Sequence, residues 1–260
     1  MKNPYKAKLK TQHPAFGLML TIPSPQLAQV VARAGFDWIM IDREHGPIDI
    51  TVCQQMIAAT QGTDAAPIVR IREIDAELAK PVLDAGAFGV IFPMVKTVEE
   101  AKHCVAALRY PPKGVRGIGP IMASVRWGLS AADYLKVANE ELMTIVLIEH
   151  IDAVRNIDKI LGVRGIDVAQ IAPFDLSASL GRPGELDHPD VKKAIATAEK
   201  AIAKSAVALG GLAQTVENAK KMMARGYRAI LMTHDVGMIQ SASAALLAPL
   251  KDGTPKRKGY

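Results

Sequence analysis

The sequence predicts an α/β chain folded as one (β/α)8 TIM barrel, a single domain covering residues 1–260. Three observations lead there. Eight short, β-rich apolar runs occur in order, segments with apolar residues at helical spacing separate them, and 260 residues is close to the usual barrel length of about 250. Hydrophobic residues make up 49% of the chain, enough to fill a large core and too many for intrinsic disorder.

The first run, 16–21, stops at Thr21-Ile22-Pro23, and a helix over 24–34 follows. Ser24 is its expected N-cap, Pro25 fits the first helical position, and Gly35 ends it. The second strand, 37–42, is an apolar stretch over 38–41 between Asp37 and Asp42, and a helix over 50–60 leads to the third strand, 67–71. Gly86 marks a helix stop before the fourth strand, 89–93, which a helix over 98–108 follows. Residues 111–130, PPKGVRGIGPIMASVRWGLS, carry Gly and Pro without periodicity and are expected to form an irregular active-site loop. Strand five is 143–149, a helix covers 153–161 up to Gly162, and strand six is 167–172. Helices over 191–206 and 216–225 flank strand seven, 207–213. Gly226 precedes strand eight, 228–232, and a last helix covers 236–247. A doubly wound open sheet is the competing architecture, but the first turn has no glycine-rich nucleotide fingerprint.

Charge narrows the function. Lys and Arg number 32 against 26 Asp and Glu, a net +6 scattered along the chain, with one compact basic run, Lys256 to Lys258, in a tail over 255–260. Aromatics are only 5%, so the basic stripe interleaved with stacking side chains that nucleic acid requires is missing. Cys53 and Cys104 sit in apolar helical patterns with neither CxxC spacing nor a histidine cluster, which argues for reduced core thiols. The polar N-terminus has no leader pattern, and the longest apolar run, 85–95, is too short to span a bilayer. The expectation is a cytoplasmic protein that binds neither nucleic acid nor membrane.

Barrel enzymes place their reacting groups where strands end. Strand two ends in Asp42-Arg43-Glu44-His45-Gly46, strand three in Arg70-Ile71-Arg72, strand five in Glu149-His150, and strand six runs into Pro173-Phe174-Asp175. Glu149 and Asp175, on neighbouring strands, have the chemistry to hold one hard divalent cation and leave its other positions to water and substrate. Two readings stand at this point: such a metal site, or carboxylates that merely cap a helix or pair with an arginine. His45 lies three residues after Asp42, so the aspartate can orient the imidazole as a general base. Arg70 offers a fixed cation for a developing anion, or a salt bridge to Asp42 or Glu44 across the rim. His13, His103, His150, His188 and His234 have no comparable setting and read as structural or solvent-facing.

Absences also discriminate. No strand carries the lysine that a Schiff-base aldolase needs, since Lys96 falls past the end of strand four. The turns after strands seven and eight, Gln214-Thr215-Val216 and Thr233-His234-Asp235, are not the glycine-rich turns that bind phosphate. Metal chemistry on an unphosphorylated acid is favoured.

Several segments together resemble one family: AGFDWIMIDREHGP (34–47), PIVR (67–70), LDAGAFGVIFPMV (83–95), KGVRG (113–117), Ile148-Glu149, PFDLSASLG (173–181) and His188-Pro189. They are similar to the metal-dependent pyruvate aldolases of the HpcH/HpaI aldolase group, which includes 4-hydroxy-2-oxoheptanedioate and 2-keto-3-deoxy acid aldolases and is related to the citrate lyase β subunit. The resemblance implies a TIM barrel whose last helix is exchanged between protomers of a homohexamer, a dimer of trimers. It implies cleavage of a 4-hydroxy-2-oxo acid to pyruvate and an aldehyde through a metal-stabilised pyruvate enolate, with oxaloacetate decarboxylation or a macrophomate-synthase-like coupling as the alternative use of that enolate. By position, Glu149 and Asp175 bind Mg2+, Mn2+ or Co2+, and Arg70 contacts the keto oxygen. His45 with Asp42 moves the proton through a metal-bound water, and Asp84 reaches a neighbouring protomer's site. The backbone N–H groups of Phe174 and Asp175 hold the pyruvate carboxylate.

Two departures from the family pattern bear on the aldehyde. Leu147 stands where many members have Gln, and the loop between Gly119 and Arg126, reading Pro-Ile-Met-Ala-Ser-Val, lacks a further arginine. A less polar site is expected to favour a neutral or hydrophobic aldehyde.

Overall fold

Strand order in the barrel is the order of the chain. In the computed structural model, which describes residues 2–250, eight parallel strands close β1-β2-β3-β4-β5-β6-β7-β8, and β8 pairs with β1. The chain runs α1 (Pro4–Lys10), β1 (Ala15–Leu20), α2 (Pro25–Ala32), β2 (Trp38–Asp42), α3 (Ile50–Ala59), β3 (Ala66–Arg70), α4 (Ala76–Asp84), β4 (Gly89–Phe92) and α5 (Val98–Leu108). It continues through α6 (Ile121–Trp127), α7 (Ala131–Glu141), β5 (Met143–Ile148), α8 (Ile151–Arg155), α9 (Ile157–Leu161), β6 (Ile166–Ile171) and α10 (Pro173–Ser179). The last elements are α11 (Pro189–Ala203), β7 (Ala208–Leu212), α12 (Val216–Ala224), β8 (Ala229–His234) and α13 (Asp235–Leu247). The basic tail expected over 255–260 lies outside the described residues.

Each strand is covered on both faces, so its residues are apolar without alternation; all of β2 and β5 is buried. Capping fixes where helices begin. The Leu27 N–H donates to Ser24, and the Thr97 hydroxyl with Glu100 completes a reciprocal box at α5. Gly35, Gly86 and Gly226 take left-handed φ of 96°, 99° and 93° after helices, as their positions led one to expect. Gly17 serves a different need, because a Cβ there would lie 2.2 Å from the Trp38 ring. Both cysteines are buried and free, and burial pushes the Cys53 thiol up to about 12, which makes it an inert core group.

Helix α1, unread in the sequence, covers the end of the barrel where the strands start. Tyr5 stacks flat on Trp38 at 5.0 Å, Asn3 Nδ2 donates to the carbonyls of Phe88 and Glu141, and Lys6 pairs with Asp167 at 2.9 Å. Wholly buried Asp235 ties β1 to α13, accepting from the Thr21 and Ile22 N–H groups and the Thr21 hydroxyl.

Residues 111–130 correct the sequence reading. Residues 111–120 are irregular as expected, but α6 occupies 121–127 and the segment is not at the strand-end side of its own barrel. The segment packs where strands begin: Trp127 Nε1 donates to the Gly86 carbonyl, and its ring lies 4.7 Å from Phe88, just ahead of β4. The cause is topological, because a helix following a strand runs back to the strand-start end. Among the described residues no helix is long and apolar enough to cross a membrane.

Candidate active site

At the opposite end, β2 and β3 place Asp42 and Arg70 in register beside each other. Arg70 Nε donates to Asp42 Oδ1 at 2.8 Å and Nη2 to Oδ2 at 2.7 Å, while Nη1 lies 3.1 Å from Glu44 Oε2. Asp42 also accepts the Glu44 and His45 N–H groups at 3.0 and 3.4 Å, folding the chain sharply after β2. Gly46 completes the turn, for a Cβ there would lie 2.4 Å from the Asp42 carbonyl oxygen. Burial alone would lower the Arg70 pKa, but the Asp42 hydrogen bonds and the charges of Asp42, Glu44 and Glu149 raise it overall.

The expected side-chain pair of Asp42 with His45 is not formed. Both Asp42 oxygens are taken up by the guanidinium and the turn amides, and the nearest carboxylate to the imidazole is Glu44, 3.9 Å from Nε2. The His45 side chain is 69% exposed at the mouth. The rim salt bridge that the sequence offered as Arg70's alternative forms with Glu44 as well as with Asp42; Glu44 also feels the charges of His45 and Asp175, and burial above all raises its pKa.

Glu149, at the end of β5, is 4% exposed and accepts the Met94 N–H at 2.6 Å on Oε1. Burial pushes its carboxyl up to about 7; the Met94 N–H and Arg70 oppose the shift, while the charges of Asp175 and Glu44 add to it. Asp175 sits in the first turn of α10, a helix with no side-chain cap, and among the described residues its carboxylate accepts no hydrogen bond and forms no ion pair. The capping and arginine-pairing readings of these two carboxylates therefore fail. What stands is a buried Glu149 beside an exposed Asp175 whose charge raises its pKa, and a hard divalent cation fits that donor set. Among the described residues no group of three or more His, Cys, Asp and Glu forms a closed cage, so two carboxylates would leave the remaining positions open.

A cavity of ≈ 110 Å³ lies at this end, lined by Arg70, Asp175 and Gln170 together with the apolar side chains of Met19, Met40, Leu147 and Phe174. Clefts of ≈ 480 and ≈ 310 Å³ around Gln12 and Arg228 are larger, but they lie at the strand-start end, away from the strand-end ionisable groups. The smaller cavity is therefore the candidate site. The Phe174 and Asp175 N–H groups occupy the uncapped first turn of α10 beside it.

Asp84 lies elsewhere. It ends α4 at the strand-start end, where Arg116 Nη2 donates to Oδ1 at 2.6 Å. It is not part of the cavity of its own chain. Met94 is a neighbour of Glu149 that sequence reasoning missed, since nothing in Pro93-Met94-Val95 announces a left-handed backbone. Three of the remaining histidines are structural: His150, His188 and His234 each accept a helix N-terminal N–H on Nδ1.

Residues 15–242 match the model of the family described as HpcH/HpaI aldolase/citrate lyase. A hydroxypyruvate/pyruvate aldolase of Cupriavidus necator is 36% identical over 250 residues, 96% of this chain and 93% of that protein. A 2-keto-3-deoxy-L-rhamnonate aldolase of Escherichia coli strain K12 is 36% identical over 262 residues, covering 100% of this chain and 98% of that protein. The crystal structure of a family protein from Burkholderia cenocepacia J2315 superposes with a TM-score of 0.89 at 32% identity, covering 96% of this chain and 99% of that one.

Proposed function

The chain belongs to the HpcH/HpaI aldolase/citrate lyase family, and on that premise we propose that it is a divalent-metal-dependent aldolase that reversibly cleaves a 4-hydroxy-2-oxo acid to pyruvate and an aldehyde. One observation carries the reading. Buried Glu149, with Asp175 close enough to raise its pKa, stands at the strand ends beside an arginine fixed by two hydrogen bonds.

Glu149 and Asp175 would hold Mg2+, Mn2+ or Co2+. Bound there, the cation supplies Lewis-acid stabilisation to the keto oxygen of the substrate. Arg70 serves the same oxygen. Of its five N–H groups, Asp42 takes two, Glu44 faces a third and the Met19 sulfur a fourth, so the guanidinium plane is set before substrate arrives and one Nη1 donor remains for the cavity. The Phe174 and Asp175 N–H groups would receive the carboxylate of the keto acid. His45, exposed at the mouth, takes the 4-hydroxyl proton when the C3–C4 bond breaks, C3 of the pyruvate enolate then takes a proton from solvent, and in the condensation direction both transfers reverse. Asp42 acts on this step through Arg70 and the turn that carries His45.

The apolar side chains of Met19, Met40 and Leu147 support a neutral or hydrophobic aldehyde, because beyond Arg70 and Asp175 the polar side chain of the lining is the neutral amide of Gln170, which offers a carboxylate no charge partner. A homohexamer built as a dimer of trimers, with the last helix exchanged, is supported by α13, on which Ile239, Leu246 and Leu247 are exposed. In that assembly Asp84 would serve a neighbouring protomer. A cytoplasmic location is supported by two free thiols in the core.

The test is incubation of the protein with pyruvate in D2O, with and without chelator, following the methyl protons by NMR. Metal-dependent loss of the methyl signal is expected; no exchange with any divalent ion sinks the aldolase reading.

A further inference from the structure

Among the described residues, two other than glycine have left-handed backbones, Gln12 with φ 64° and Met94 with φ 54°. Gln12 lines the clefts at the strand-start end. Met94 is at the other end, directly after β4 and Pro93, where its N–H meets Glu149 Oε1 at 2.6 Å. A side chain with a Cβ resists this conformation, and such strain persists only where the surroundings impose it. Packing of the Met94 side chain does not explain it, for the residue is 41% exposed while Val95 beyond it is fully buried. The left-handed turn instead does two things at once: it directs the chain back into the core at Val95 and points one N–H at the Glu149 carboxylate, at the end of the neighbouring strand β5. Among the described residues no other hydrogen bond holds the Glu149 side chain. A short, charge-assisted bond to one oxygen removes rotameric freedom and leaves the second oxygen for the site.

We propose that Met94 is a positioning residue for the acidic pair: its left-handed backbone, not its side chain, fixes the Glu149 carboxylate in the orientation that receives the divalent cation. This rests on Glu149 being a cation ligand, as proposed above.

The measurement is Mn2+ titrated into the chelator-treated full-length protein, with free Mn2+ read by electron paramagnetic resonance. Met94→Gly and Met94→Asn discard the thioether but are at home in the left-handed region, so both should bind Mn2+ with wild-type affinity. Met94→Val keeps an apolar side chain but is β-branched and resists that region, so affinity should weaken roughly fivefold or more at unchanged circular dichroism. Equal affinity in all three variants overturns the proposal, and so does weakening in Gly and Asn that matches or exceeds Val, which would make the side chain the active part. Hydrogen exchange on the wild-type protein covers the case in which Val does not fold. The Met94 amide should be protected like those inside β4, and fast exchange overturns the proposal. Wild-type protein that binds no Mn2+ sinks the metal reading instead, a result the amide measurement distinguishes from failure of the Met94–Glu149 pairing.

Discussion

Arg70 holds Asp42 as a planar fork holds a carboxylate, through Nε and Nη2 at 2.8 and 2.7 Å, between strand ends in register. Lysine cannot reproduce this geometry, because a single ammonium has no second parallel donor and no fixed plane. Losing a preorganised charge partner of a developing anion costs about 3 kcal/mol of barrier. Arg70→Ala should therefore slow metal-dependent deuterium exchange into pyruvate by roughly a hundredfold or more. Arg70→Lys should fall well short of wild type, at least tenfold down on the same reasoning. Lysine activity equal to arginine would show that charge alone matters and that the fork with Asp42 is incidental.

Glu149 makes cation binding depend on pH in a calculable direction. Its carboxyl is raised from 4.5 to about 7, mainly by burial. In the metal-free protein the folded state therefore keeps a proton that the unfolded chain releases, and this group's contribution to stability declines as pH rises from about 4.5 through about 7. A cation needs the ionised form, so binding releases the proton below the raised value and releases none above it. The Mn2+ dissociation constant should weaken about tenfold per pH unit below about 7 and level off above it, with one proton released per ion in acidic buffers. Calorimetry in buffers of different ionisation enthalpy reads both quantities. Affinity that stays flat from pH 5.5 to 7.5 would place Glu149 outside the cation site.

Leu147 sets the character of the cavity. It is buried on β5, in register with Gln170 on β6. A substrate group facing it must be apolar or lose hydrogen bonds to water, a difference worth roughly a hundredfold in kcat/KM when the group is charged. Wild-type protein should condense pyruvate with pentanal far better than with an aldehyde of similar length ending in a carboxylate. Leu147→Gln should narrow that gap by roughly tenfold, because an amide gives a polar group one partner. Equal kcat/KM for the two aldehydes in the wild type would rule out the apolar-aldehyde assignment.

How far the sequence was legible follows from what each element depends on. All eight strands lie within two residues of their expected bounds, since burial on both faces leaves unbroken apolar runs that end in turn residues. Helix α4 escaped because Pro81 sits inside it and reads as a breaker, although the flanking turns tolerate the lost N–H. The ionisable residues of the site were visible as charges closing apolar strands. Their pairing was legible only as alternatives, Arg70 with Asp42 or Glu44 on the one hand and Asp42 with His45 on the other, and it is the first that forms. That Asp42 would serve Arg70 rather than the His45 ring depends on register across β2 and β3, which a linear pattern does not encode. The left-handed Met94 is a product of tertiary context, with no glycine to mark it.

Asp84 tests the assembly. Its carboxylate pairs at 2.6 Å with Arg116, whose side chain is completely buried and lies over the Tyr110 ring at 4.5 Å. Asp84 itself remains a quarter exposed at the strand-start end, turned from its own cavity. If it takes part in catalysis it does so in another copy of the chain, and the two defects can then be separated. Asp84→Ala and His45→Ala should each be inactive as pure proteins. Co-expressed in equal amounts they should regain roughly a quarter of wild-type activity, because a site is intact when the chain supplying His45 is the Asp84→Ala variant and the neighbour supplying Asp84 is the His45→Ala variant. Asp84→Asn separates this role from support of the fold, since it keeps the shape and one acceptor for Arg116 while removing the charge. A co-expressed mixture as inactive as its parents, with both variants folded and assembled, would confine Asp84 to holding Arg116.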